Sequence, residues 1–193
     1  MKNVTFAKRV YIYIFTVCTL CMVSQQCWAD LEKLIIIPLP ETVKNVDQPI
    51  ISLNGLWKFT RTPPEKFWLK DTETKGWHDI QVPGEPFMQG FPIRQDVEYP
   101  FNRTFNIPSD FAGKKILIRF DGVYSYARVW VNGIYIKDHQ GGFTTWDVDI
   151  TDHVEPGKPA VLTVGVTDRS DDIARGSFYA KHNIGGILRD VRL

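Results

Sequence analysis

Cysteine is scarce in this sequence, and its three copies (Cys18, Cys21 and Cys27) all fall before Trp28. The rest of the chain therefore has no disulfide, thiol nucleophile or cysteine-ligated metal, and a packed core must supply its stability. Charge of one sign is lacking too. Against 23 Lys and Arg stand 22 Asp and Glu, a net charge of +1 without a basic cluster, which offers no footprint for nucleic acid. The longest apolar run, Val10–Val23, has 14 residues, short of the about 20 that a membrane-spanning helix needs. The four histidines (His78, His139, His153 and His182) are scattered, with no two at metal-ligand spacing, so neither a metal nor another cofactor is expected. Gly-x-Ser-x-Gly, P-loop and dinucleotide-binding patterns are missing. So are amphipathic helices longer than two turns. The best helical stretch, Glu65–Thr74, is short and lies beside prolines.

What is present begins with a leader. Lys2, Lys8 and Arg9 precede the apolar run, and Cys27-x-Ala29 gives a small-x-small cleavage pattern. Residues 1–29 read as a secretory signal peptide cut after Ala29. Lipid anchoring through Cys27 is the weaker alternative, because Gln25 and Gln26 stand where a lipobox wants small residues. Cleavage removes three basic and no acidic residues, leaving 164 residues of net charge −2 in the periplasm or outside the cell, with no membrane attachment.

Residues 30–49 form an extended lead-in broken by prolines. From Ile50 the apolar residues alternate with period two. ISLNGLWKFT is a strand carrying Trp57 and Phe59, and WHDIQVP a short one ended by Pro83. PFNRTFNIP alternates Phe101, Arg103, Phe105 and Ile107. KKILIRFD puts Ile116, Ile118 and Phe120 on one face, Leu117 and Arg119 on the other. VYSYARVWV divides Ala127, Val129 and Val131 from Tyr126, Arg128 and Trp130. AVLTVGVT turns Leu162, Val164 and Val166 inward and Thr163, Gly165 and Thr167 outward. Asn132-Gly133 between VWV and IYI predicts a two-residue hairpin, since a type I′ turn needs positive φ at both positions. Many short alternating strands without helices imply an all-β fold, a two-sheet jelly-roll sandwich rather than a closed barrel.

Three constellations invite chemistry. Tyr126, Arg128 and Trp130 share a face that can stack on a sugar or pack inside the protein, with packing the commoner use. Asp147, Asp149 and Asp152 have a calcium-like spacing but lack the central Gly and closing Glu of an EF-hand loop, and read as surface carboxylates and a turn cap. Asp168-Arg169-Ser170-Asp171-Asp172 reads as a solvated loop. No carboxylate pair stands out as the acid and nucleophile of glycoside hydrolysis.

The order of six motifs is informative: LNGLWKF, GWHDIQVPGEPFMQGF, YPFNRTFNIP, KKILIRFDGVYSYARVWVNG, GGFTTWDVDIT and GGILRDVRL. Together they resemble the N-terminal sugar-binding domain of glycoside hydrolase family 2, which includes β-galactosidases, β-glucuronidases and β-mannosidases. The resemblance covers about residues 50–193. It implies a galactose-binding-domain-like jelly roll, followed in the family by an immunoglobulin-like sandwich and a barrel that holds the catalytic glutamates. On that basis this chain has no catalytic residue of its own, and its partners are an oligo- or polysaccharide and those downstream domains. The resemblance also implies two loops that reach sugar. Asp96 stands where galactosidases carry Asn. In the loop Phe178–Ile184, Ala180 stands where they carry Asp, leaving His182 and Asn183 as the polar candidates; both departures argue against galactose. Arg189 and Asp190 match the family motif and are expected at a domain interface.

The expectation is the sugar-binding front end of a secreted retaining glycosidase that hydrolyses O-glycosyl bonds only with its barrel. A free-standing carbohydrate-binding or adhesion module is the alternative. Secretion has a direct check: intact mass of the exported protein should begin at Asp30, and iodoacetamide should add nothing, whereas retention of Cys27 gives one adduct or a lipid mass.

Overall fold

The computed structural model describes residues 38–169 and 184–193; the leader and the segment 170–183 lie outside them. The described residues form eleven strands. They are β1 (Gly55–Phe59), β2 (His78–Val82), β3 (Glu98–Asn106), β4 (Leu117–Phe120), β5 (Val123–Tyr124), β6 (Tyr126–Val131), β7 (Ile134–Gln140), β8 (Trp146–Asp149), β9 (Pro159–Thr167), β10 (Gly186–Ile187) and β11 (Val191–Arg192). The fold is an all-β sandwich. Its larger sheet runs β2-β1-β3-β9-β6-β7, its smaller one β11-β4-β8, and β10 pairs with β5 apart from both. Every pairing is antiparallel.

Alternation explains the core. Phe59, Phe101, Val129, Leu162 and Val164 from the large sheet and Ile118, Phe120, Val148 and Val191 from the small one belong to a single buried cluster. Each such side chain contributes about 1.5–3 kcal/mol on burial, against about 1 kcal/mol for a hydrogen bond, so apolar patterning decides which faces meet. Phe120, Trp146 and His139 continue the packing as a parallel ring stack, with centroids 4.6 Å apart at both steps. The predicted hairpin is present: Asn132 and Gly133 have φ of 51° and 83° between β6 and β7. The Asn132 side chain also donates to the His153 carbonyl (2.8 Å) and accepts from the Val161 amide (3.1 Å).

Glu65–Thr74, short and preceded by Pro63 and Pro64, holds turns, as its weak helical pattern implies. Several expectations need correction. The lead-in is not simply extended, because Val43 and Val46 form a bridge around Lys44-Asn45. The stretch Ile50–Thr60 is not one strand. Gly55 has φ of 121°, a conformation that a side chain disfavours, and the chain changes sheet there. On one side Ile51 and Leu53 pair with residues 191–193 through backbone bonds of 2.8 Å; on the other, β1 joins the large sheet. The last strand is therefore covered rather than an open edge. The stretch Val123–Val131 divides in the same way, at Ser125.

The outward residues of β9 are also buried. Thr163 and Thr167 are almost inaccessible, because β9 lies mid-sheet and its outer face is covered by side chains from β3 and β6. Thr163 Oγ1 accepts from Asn102 Nδ2 at 2.9 Å across that face.

Asn54 fixes the change of sheet. Its Nδ2 donates to Asp190 Oδ1 (2.9 Å) and its Oδ1 accepts from the Val191 amide (2.9 Å). Replacing Asn54 with Ala leaves a partly buried amide without its acceptor and should cost about 2 kcal/mol in urea unfolding, with the slope of the transition unchanged.

Candidate functional site

Four segments meet at one end of the sandwich. A turn carrying Asp96 in the left-handed region (φ 58°) precedes β3, and its amide donates to the Asp168 carbonyl just after β9 (3.0 Å). Asp and Asn tolerate that conformation better than most residues. Ser125, fully buried between β5 and β6, donates its amide to Thr167 O (3.2 Å) and accepts the Arg169 amide on Oγ (2.6 Å). Ile93, Tyr99, Phe101, Val166, Asp168 and Gly185 line a small cavity beneath. Asp168 is 2% exposed, so this part of the loop is buried, contrary to the solvated loop expected; residues 170–172 lie outside the described residues.

The side chain of Asp96 is exposed at this rim. Its partner candidates His182 and Asn183, and Ala180, lie outside the described residues, which resume at Ile184 beside the cavity. Asp190 accepts from Asn54 and from Arg192, and Arg189 is exposed with its guanidinium 6.0 Å from the centre of the Phe143 ring.

The aromatic stripe is occupied from within. Trp130 stacks on Trp68 (5.5 Å, 12°) and meets Phe67 edge-on (5.6 Å), which leaves it 4% exposed. Arg128 lies 5.0 Å from Trp130 and forms a two-pronged pair with Glu98, one prong being Nε to Oε1 at 2.8 Å. That bond raises the Arg128 pKa. Arg169 covers the Tyr126 ring at 4.0 Å, and the Tyr126 hydroxyl donates to Asp138 Oδ2 at 2.7 Å. This donation holds the Asp138 carboxyl below the usual carboxylate range, while burial raises the Tyr126 phenol. The face is a self-satisfied polar network.

Asp147 is no surface carboxylate. Arg119 grips both its oxygens at 2.7 Å, and both side chains are largely buried. Asp149 does cap a turn, accepting from the Thr151 amide (3.1 Å) and hydroxyl (2.6 Å). Among the described residues no cluster of three His, Asp or Glu is placed to hold a metal ion.

Sequence reasoning missed Glu98 and Gly165. Glu98 on β3 reaches Arg128 on β6 across the intervening β9, and it does so over Gly165, where a Cβ would overlap the Glu98 carboxylate. A lone glycine inside a strand was the available signal, since it marks close approach of another group.

Comparison with known proteins fits this geometry. A family profile described as "Glycosyl hydrolases family 2, sugar binding domain" matches residues 101–193. This chain carries the sugar-binding domain of glycosyl hydrolase family 2. A β-galactosidase from Thermoanaerobacterium thermosulfurigenes is 30% identical over 151 residues, covering 75% of this chain and 21% of the relative. A β-glucuronidase from Formosa agariphila is 25% identical over 172 residues, covering 79% and 18%. In fold, the chain superposes on a family 2 member from Bacteroides cellulosilyticus with a TM-score of 0.62 at 24% identity, covering 74% of this chain and 20% of that one. A Ruminococcus gnavus β-glucuronidase gives 0.66 at 21% identity, covering 82% and 30%. The chain thus spans about a fifth of the length of these curated relatives.

Gly165→Ala should push Glu98 off Arg128 and cost about 2 kcal/mol in chemical denaturation. In a Glu98→Ala background the same substitution should cost at least about 1 kcal/mol less, because the clash has gone.

Proposed function

We propose that this chain is the sugar-facing jelly-roll domain of a secreted or periplasmic, retaining family 2 glycoside hydrolase. Residues 1–29 are its leader, 30–49 its lead-in and 50–193 the domain, and hydrolysis of O-glycosyl bonds is carried by a downstream sandwich and barrel. The observation that carries the reading is the convergence of the Asp96 turn, Asp168 and the segment from Ile184 at one end of the sandwich. Such an end can present polar loops to a sugar, whereas the outer face of the large sheet spends its arginines and aromatic rings on itself.

In this reading Asp96 accepts hydrogen bonds from sugar hydroxyls. Its backbone is held by Asp168, and its exposed carboxylate has acceptor capacity for two or more donors. His182 and Asn183 are the further candidates for sugar contact in this reading, and Arg189 and Asp190 serve the side that faces the next domain. The relatives' names divide between β-galactosidase and β-glucuronidase. A carboxylate at position 96 favours a neutral pyranoside over a uronate, because like charges repel.

Tryptophan fluorescence of the exported protein, titrated with galactose, glucuronate and neutral β-linked oligosaccharides, tests the site. A neutral sugar should bind in the millimolar range, and Asp96→Ala should weaken it about tenfold, the loss of one charge-assisted hydrogen bond. Aryl β-glycosides should not be hydrolysed by this chain alone. Turnover by the chain alone, or sugar binding indifferent to Asp96, would sink the reading.

A further inference from the structure

β2 is an edge strand of the large sheet, yet its outward backbone is not open. The Gln81 amide donates to Gln89 Oε1 at 2.7 Å, and the Gln81 carbonyl accepts from Gln89 Nε2 at 3.0 Å. A primary amide offers one donor beside one acceptor, as a peptide group does. Gln89 thus occupies the place that a residue of an added antiparallel strand would take. Along a strand, residues face alternate neighbours, so the groups directed away from β1 belong to Asp79 and Gln81. Pro83, the next in that series, has no N–H. With Gln81 occupied, Asp79 alone is left, and one residue pair does not hold a strand.

The turn that delivers Gln89 is itself fixed. The amides of Gln89 and Phe91 donate to Pro86 O (3.0 and 2.9 Å), and that of Gly90 donates to Phe87 O (3.0 Å). Apolar side chains flank the covered edge. Leu56, which faces Gln81 from β1, is 63% exposed, and Phe87 and Met88 in the turn are 52% and 78% exposed. An open edge bordered by exposed apolar residues is a template for association.

We propose that Gln89 guards the β2 edge, its amide standing in for the strand of a second copy of this chain and so preventing edge-to-edge pairing. A second copy is the occupant excluded, because the edge is self-complementary. Two β2 strands related by a twofold axis at Gln81 exchange both of that residue's hydrogen bonds and bury Leu56 and Met88 from each side. The guard acts through two bonds from one side chain, so its removal changes the edge while leaving the β1–β2 ladder intact.

The test uses the whole exported chain with Gln89→Ala, Gln89→Glu and the double variant Gln89→Ala/Gln81→Pro. Hydrogen exchange is read at Gln81 in dilute solution, and association by sedimentation velocity over a range of concentrations. Gln89→Ala should speed exchange at Gln81 about tenfold, as expected for one lost hydrogen bond, with Ile80 unchanged. It should also produce concentration-dependent dimers. Gln81→Pro removes the outward N–H without touching the bonds to β1, and should restore the wild-type sedimentation. Gln89→Glu keeps an acceptor but sets a carboxylate against the Gln81 carbonyl; it should free that carbonyl and associate as well, which supplies the reading if the Ala variant is poorly folded. Unchanged exchange at Gln81 with unchanged sedimentation in both single variants overturns the proposal. So does association that persists in the double variant.

Discussion

The pairing of Ile51–Leu53 with residues 191–193 is the constraint on which the sandwich depends. Those three residues lie in one sheet, and β1, only two positions further on, lies in the other. The Asn54 side chain fills the gap between them by bonding both Asp190 and the Val191 amide. Sheet pairing, core and Asn54 therefore stand or fall together, across a sequence separation of 137 residues. A contact of that range adds little entropy cost beyond a medium-length one, since closure cost grows only with the logarithm of loop length. It does delay folding, because distant strands must meet before their burial can stabilise either.

A second consequence concerns the large sheet's outer face. A sheet with one face on a core normally turns a solvated face outward. Here β9 is buried on both sides, because Glu98 and Arg128 close over Gly165 and Asn102 closes over Thr163. The aromatic residues that composition alone makes attractive for sugar stacking are already stacked: Trp130 on Trp68, and Tyr126 under Arg169. To bind there, a sugar would have to replace contacts that cost nothing to keep. Among the described residues the loop end around Asp96 shows no such competitor, because its side chain is exposed and its backbone amide is the group bonded to Asp168.

How far this was legible in the sequence follows from the range of each interaction. Period-two alternation is local, so Ile116/Ile118/Phe120 and Ala127/Val129/Val131 disclosed their faces, and Asn132-Gly133 its turn. The changes of sheet at Gly55 and Ser125 were hidden, because apolar alternation runs through both without a break; only a partner strand far along the chain distinguishes the two halves. The ion pairs Glu98–Arg128 and Arg119–Asp147 were hidden for the same reason, being 30 and 28 residues apart. Motif order disclosed the family, yet it carries no coordinates. Of the residues it nominates, Asp96 takes its place from a turn held by the Asp168 carbonyl, to which a pattern of strands is blind.

The two edges of the large sheet are managed by different means, and the difference bears on how such a sandwich can contact other domains. β7 is interrupted by a register shift opposite Val129 and Trp130 and carries Lys137 and Asp138, devices that spoil the regular row of groups an added strand needs. β2 is regular and short, with Gln89 as a ready partner and Pro83 as its stop. Neither edge offers an unbroken row of backbone groups. A partner meeting either of these edges would have to do so through side chains and loops rather than by strand addition, which would fix register and orientation at once.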